Sequence, residues 1–155
     1  MSGMDHMLQS HCRLALAALF TLLTGSAAAD QFINIGGGSY HFERDLGHNE
    51  FNPGIGYERD WNEEISWAVG YYKNSLSRPT FYVVGNYYPW RLSEGWRLGA
   101  TAGALTGYNN TDVAPLLAPT LEWRGKVVGL QFFVVPSIKP YVDGAFVGQV
   151  KFRLP

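Results

Sequence analysis

At 155 residues, with a formal net charge of −1 and only 16% charged side chains, the chain carries no basic or acidic surplus for nucleic acid or for a charged soluble partner. Its single cysteine excludes a disulfide framework, and because Cys12 precedes the first apolar run it excludes a lipoprotein anchor as well. No stretch reaches eighteen consecutive apolar residues, so a membrane-spanning helix is excluded too.

Residues 1–29 read as an export signal. Arg13, with His6 and His11, precedes the apolar run from Leu14 to Leu23, and Gly25-Ser26-Ala27-Ala28-Ala29 supplies small residues for cleavage. The processed chain is predicted to begin at Asp30 as one domain, residues 30–155, without cysteine. Processing removes one charge of each sign, Asp5 and Arg13, and leaves the balance unchanged.

From Asp30 onward the pattern is all-β. Eight strands are predicted at 31–41, 52–59, 64–73, 79–89, 95–107, 114–123, 126–136 and 144–154. In the fifth, Trp96, Leu98, Ala100, Ala102 and Ala104 share one face, while Arg97, Gly99, Thr101 and Gly103 share the other. In the eighth, Phe146, Val150, Phe152 and Leu154 oppose Val147, Gln149, Lys151 and Arg153. Such alternation, in an even number of strands of about 9–12 residues behind an export signal, predicts an eight-stranded antiparallel outer-membrane β-barrel, apolar outside and polar within. A soluble sandwich would show the same alternation; the leader and the strand lengths favour the barrel.

The connections after strands 2, 4 and 6 are short, and those after strands 1, 3, 5 and 7 are mostly long. Short turns face the periplasm and long loops the outside. The end of the first strand and the loop after the third are therefore expected at one outer rim. Tyr88, Trp90, Trp96 and Trp123 at the short-turn end, and Tyr40, Tyr72 and Tyr108 at the other, are expected as interface girdles. Gly54, Gly56, Gly99, Gly103 and Gly129 are expected to point inward. They leave two readings open: room for one slim ligand, or close contact of strongly coiled strands. Pro53, Pro79, Pro115, Pro119 and Pro136 each remove a ladder hydrogen bond. They either end strands or, where Pro115 or Pro119 approaches Pro136, leave a lateral opening.

The processed chain holds two histidines, His41 closing the first strand and His48 in the loop after it. Asn74-Ser75 opens the next long loop. A histidine beside a serine offers a base and a hydroxyl for acyl transfer; solvated loop residues without a role are the plainer reading. No Cys or helical His spacing completes a metal site around the two histidines.

The order of these features resembles the lipid A palmitoyltransferase (PagP) family of outer-membrane barrels. The resemblance lies in Tyr40-His41 closing the first strand, Asn52-Pro53-Gly54-Ile55-Gly56-Tyr57 opening the second, Tyr72-Lys73-Asn74-Ser75 and Trp90-Arg91. It continues through Leu98-Gly99 with Thr101-Ala102-Gly103, Pro115-Leu116-Leu117-Ala118-Pro119 and a strand closing on Pro136. It spans nearly all of the processed chain. It implies transfer of a palmitoyl-type chain from a phospholipid donor to lipid A, by a monomer in the outer-membrane bilayer, without metal or cofactor.

It further implies His41 and Ser75 as catalytic residues, with Asn74 where the family has aspartate; Asp45 and Glu50 are the acids nearby in sequence. It implies Pro53 beside the third strand, and Pro115 or Pro119 with Pro136, as wall openings for lipid. It implies Gly85 as the floor that sets acyl length, although alternation points Asn86 inward and Gly85 outward. The family's amphipathic N-terminal helix has no counterpart before Gln31, and Phe152-Arg153-Leu154-Pro155 replaces its terminal phenylalanine. The rival readings are a non-catalytic small outer-membrane barrel, serving adhesion, stress or structure, and a lipid A deacylase. The latter would want a His-x-Ser pair near the C-terminus, and no histidine follows His48.

Overall fold

Short alternating segments between turn residues form strands, and the computed structural model contains eight among its described residues, 29–108, 112–139 and 142–155. They are β1 (Gln31–His41), β2 (Gly54–Asp60), β3 (Ile65–Lys73), β4 (Pro79–Ser93), β5 (Trp96–Leu105), β6 (Ala114–Arg124), β7 (Val128–Val135) and β8 (Ala145–Arg153). Each pairs antiparallel with the next, and β8 returns to β1 to close the barrel. The expected export signal falls, Ala29 apart, outside the described residues.

Burial is inside-out relative to a soluble protein. Glu58, Glu122 and Lys151 are fully buried, whereas Phe81, Val83, Leu117 and Phe146 lie exposed on the outer wall. Charges sheltered within and apolar side chains outside suit a barrel whose exterior meets lipid, and they remove the sandwich reading. Trp61 and Trp90 are exposed toward the short-turn end and Tyr40 and Phe51 toward the long-loop end. Three expected girdle residues are corrected: Tyr88 is buried in the lumen, and Tyr72 and Tyr108 line its cavity, joined hydroxyl to hydroxyl at 2.8 Å.

β1 has the expected bounds and the other strands shift at one or both ends, with two of the shifts explained by Pro53 and Pro89. β2 starts at Gly54 because Pro53 has no N–H. The residues before it turn instead onto β1, through Ser39 N–H to the Glu50 carbonyl at 2.9 Å and Asn52 N–H to the Gly37 carbonyl at 3.0 Å. β4 runs on past Pro89 to Ser93. Tyr87 pairs with Ala100 and Trp90 with Leu98, so Tyr88 and Pro89 together oppose Gly99 in a bulge, where a missing donor costs no ladder bond.

The lumen is divided along its length. Its short-turn half is packed with ions: Lys151 Nζ lies 2.6 Å from Glu58 Oε1 and 2.9 Å from Glu122 Oε1. Arg97 meets Glu122 Oε2 at 2.6 Å, and Arg124 pairs with both Glu122 and Asp60. Three cations thus face three carboxylates. Phe32 lies beneath them, its ring 4.6 Å from the Arg124 guanidinium and 4.8 Å from Lys151 Nζ. A polar layer follows, with Gln131 donating to the Tyr88 hydroxyl at 2.6 Å, Gln149 donating to Gln131 at 2.6 Å and Thr101 donating to Asn86 at 2.6 Å.

Candidate functional site: an outward cavity and its rim

Above that polar layer the side chains no longer fill the barrel. A cavity of about 710 Å³ runs from Asn34, Asn86, Thr101 and Gln131 at mid-barrel to His41, His48, Ser75 and Asp143 at the long-loop rim. Its walls include Ala68, Val84, Leu105, Leu116, Phe133 and Val147. The volume lies within the ~300–1,000 Å³ of small-molecule sites, and the lining pairs apolar walls with a few polar groups at each end.

The inward glycines divide between the two roles left open. Gly54, Gly36, Gly37 and Gly148 line the cavity, but a Cβ at any of the first three would strike neighbouring backbone, so of these four only Gly148 leaves room without also serving close strand contact. Gly56 and Gly70 instead receive the Tyr82 hydroxyl, and Gly99 and Gly103 lie where a Cβ would strike the β4 backbone. The last two serve close strand contact, as does Gly129 against the Trp123 carbonyl, 3.0 Å from where its Cβ would stand.

Among the described residues the ladder between neighbouring strands is interrupted along one stretch of the wall. β6 and β7 pair only from Thr120 opposite Phe133 down to Arg124 opposite Gly129. From Ala114 to Pro119, β6 keeps its partners on β5 and has none on β7, while Val134 and Val135 pair with β8 alone. The ladder stops where Pro119 adjoins Thr120 without an N–H to offer, and Pro136 stands just beyond β7. At about 3.3 Å per residue the unpaired edge of β6 is some 20 Å long. It flanks the cavity, which Ala114, Pro115 and Leu116 help line.

The second expected opening is absent. β2 and β3 pair without interruption from Gly54 opposite Tyr72 to Asp60 opposite Ser66. The Lys73 N–H donates to the Pro53 carbonyl at 3.0 Å and the Asn52 side chain to the Lys73 carbonyl at 3.1 Å, so Pro53 ends a strand without opening the wall.

Gly85 is also corrected. It is exposed on the outer wall, and strand alternation leaves no other outcome once Asn86 is 2% exposed inside. The cavity floor is made by Asn86, Thr101 and Gln131 instead.

Asn74 is a third correction. It is fully buried, and its amide is spent on the rim backbone and on β4: Nδ2 donates to Thr80 Oγ1 at 3.0 Å and to the Gly107 carbonyl at 2.9 Å. Oδ1 accepts from the Leu76 and Arg78 N–H groups, both at 2.9 Å. Both donors and both acceptor positions are used, so this amide holds the rim in shape and does not orient an imidazole.

His41 and Ser75 do meet at one cavity mouth, as loop lengths implied. Ser75 shares that mouth with Tyr108, whose hydroxyl burial pushes above the ordinary phenol range. Glu50 accepts the His41 backbone N–H at 3.2 Å and pairs with Arg44 at 3.1 Å. The His41 bond, followed by the Arg44 charge, holds its carboxyl below the ordinary range. It faces the backbone of His41 rather than its ring.

The acid that reaches a rim imidazole is Asp143, whose Oδ2 lies 3.1 Å from His48 Nε2 across 95 residues of sequence. The His48 and His41 rings pack with centroids 4.4 Å apart and planes tilted 34°. The sequence placed His48 in the outer loop after the first strand but showed no role for it, and it did not single out Asp143. The one available signal was that Asp143 is the sole carboxylate in the last long connection, which returns to the same rim.

No protein-family model and no curated protein matches the sequence. Among solved structures, the chain is similar to the N-terminal β-barrel domain of Pseudomonas aeruginosa OprF. The two share 11% identity and a TM-score of 0.52 over 81% of this chain and 97% of that one. It is also similar to the Yersinia pestis outer membrane protein Ail, solved in a phospholipid bilayer nanodisc, at 11% identity and a TM-score of 0.46 over 81% and 99%. The chain has the fold of an outer-membrane barrel. That likeness concerns the architecture alone.

Proposed function

We propose that this protein is an outer-membrane acyltransferase that moves a palmitoyl-type chain from a phospholipid to lipid A. The observation that carries the proposal is one continuous arrangement: a gap between β6 and β7 opens beside an apolar cavity whose mouth holds two histidines, an aspartate and a serine. A barrel built only to be a rigid wall has no use for an unpaired edge, which costs several kcal/mol per unsatisfied group facing lipid. With the short turns toward the periplasm, the gap and the cavity open to the outer leaflet, where lipid A resides.

The donor's acyl chain would enter sideways and lie in the cavity, bringing its ester carbonyl to the rim. A rim imidazole takes the proton from a lipid A hydroxyl as the oxygen attacks that carbonyl carbon. The hydroxyls of Ser75 and Tyr108 and nearby amides receive the tetrahedral oxyanion, and the imidazolium returns its proton to the departing lysophospholipid. The test is mass spectrometry of lipid A from cells with and without the gene. A gain of one acyl chain is expected.

A second reading is a non-catalytic small outer-membrane barrel. The OprF fold likeness fits it at least as well, and the fully committed Asn74 amide favours it over an intact catalytic triad. The same spectra decide: lipid A without an added chain supports this reading, and lipid A with one chain fewer supports a deacylase.

A further inference from the structure

The two rim histidines are not equivalent. The His48 ring touches a carboxylate, Asp143, at 3.1 Å. Among the described residues no carboxylate is hydrogen-bonded to the His41 ring: its Nδ1 is buried without a hydrogen-bond partner, and its residue is 5% exposed. The charged groups around the pair are few. Glu50 is engaged by the His41 backbone N–H and by Arg44, while Lys139 pairs with Glu43 at 2.7 Å farther out on the loops.

We propose that the proton acceptor of this rim is His48, oriented by Asp143, and that His41 is the neutral ring against which it packs. The inference rests on the acyl-transfer reading for its consequence, but its geometry stands by itself. An ionised carboxylate only accepts, so the Asp143 contact fixes the His48 proton on Nε2 and leaves the Nδ1 lone pair free. The same carboxylate compensates the imidazolium once a proton arrives. A proton on His41 would instead be a buried charge without a partner on its ring. Rings 4.4 Å apart do not both carry a positive charge at low cost, so a proton arriving at the pair is held on one ring, and the Asp143 contact favours His48.

In the transfer step, His48 Nδ1 takes the proton of the attacking hydroxyl as the new ester bond forms. It then delivers that proton to the glycerol oxygen as the old ester bond breaks. His41, the residue that alignment of features selects, becomes a positioning residue.

The test uses protein labelled with 15N-histidine and purified from outer membranes into detergent, with His41→Gln and His48→Gln to assign the rings. Long-range 15N–1H correlation should show His48 as the Nε2–H tautomer. Asp143→Asn, nearly isosteric and able to donate from its amide, should shift it toward Nδ1–H. Transfer from a dipalmitoyl phospholipid to lipid A in mixed vesicles should fall on the order of 10²–10⁴-fold in Asp143→Asn. It should fall to background in His48→Gln and by less than about tenfold in His41→Gln, where the acceptor itself survives.

A wild-type His48 in the Nδ1–H tautomer overturns the proposal. So does activity retained in His48→Gln but lost in His41→Gln. If the wild type transfers no chain at all, the acyl-transfer reading fails alone, and the tautomer still shows whether Asp143 holds His48 as stated.

Discussion

Lys151 Nζ sits 2.6 Å from Glu58 Oε1, two fully buried side chains from opposite ends of the barrel sequence joined across the lumen. The ammonium also holds Glu122, so it bridges both central carboxylates at hydrogen-bond distance. Lys151→Met should therefore destabilise the barrel by roughly 3–5 kcal/mol, because buried Glu58 loses its hydrogen-bonded cation and keeps only Arg124 at 3.6 Å, whereas Glu122 retains Arg97 and Arg124. Urea unfolding in detergent, followed by loss of heat-modifiable migration, checks this. A variant as stable as wild type would mean that water enters the short-turn half.

The cavity floor gives a second expectation. Val84 lines the cavity one inward step above Asn86, whereas Gly85 faces out, and a Cβ added there would meet nothing nearer than the Ser66 carbonyl oxygen at 4.0 Å. Val84→Phe should shorten the acyl chain transferred, at an overpacking cost of about 1–3 kcal/mol. Gly85→Met should leave the product unchanged. Mass spectrometry of the lipid A formed by each variant separates them, and the reverse result would return the floor to Gly85.

The open edge gives a third. Pro119→Ala and Pro136→Ala each restore a backbone donor beside the gap between β6 and β7, and a bond made there contributes about 0.5–1.5 kcal/mol toward closing it. Slower transfer with unchanged unfolding is expected, most clearly in the double variant. Equal rates in bilayers would show that lipid does not use this gap.

Asn74→Asp tests the rim frame. A carboxylate oxygen would replace the Nδ2 that donates to Gly107 and Thr80, and it would face the Gly107 carbonyl at about the present 2.9 Å. The loop should lose about 1–3 kcal/mol, and transfer should fall rather than rise. The kinetic rate of the purified variant decides it. A faster enzyme would show that this position acts on an imidazole after all.

Much of the architecture was legible because a barrel's inside and outside differ at every second residue. Arg97 and Thr101 in β5 and Lys151 in β8 announced the lumen face, and the outward turn of Gly85 followed from the same alternation. What was not legible depends on who sits opposite whom. Pro53 and Pro119 look alike in sequence, yet the first is flanked by a continuous ladder and the second marks where one ends. Asn74 occupies an aligned position but folds back on Thr80 at the start of β4, a contact that no alignment of motifs displays. The His48–Asp143 contact spans 95 residues and exists only because β8 closes against β1.

The balanced ions beneath the cavity have a bearing on permeability. Three cations and three carboxylates neutralise one another around Phe32, and Tyr88, Gln131 and Gln149 cap them, so a solute or proton crossing the barrel would have to break several buried pairs in succession. The cavity is therefore a blind vessel with no exit at its foot. Whatever occupies it must leave by the mouth or the side slit through which it came, and the barrel can stay open to one face of a membrane without becoming a leak between the two.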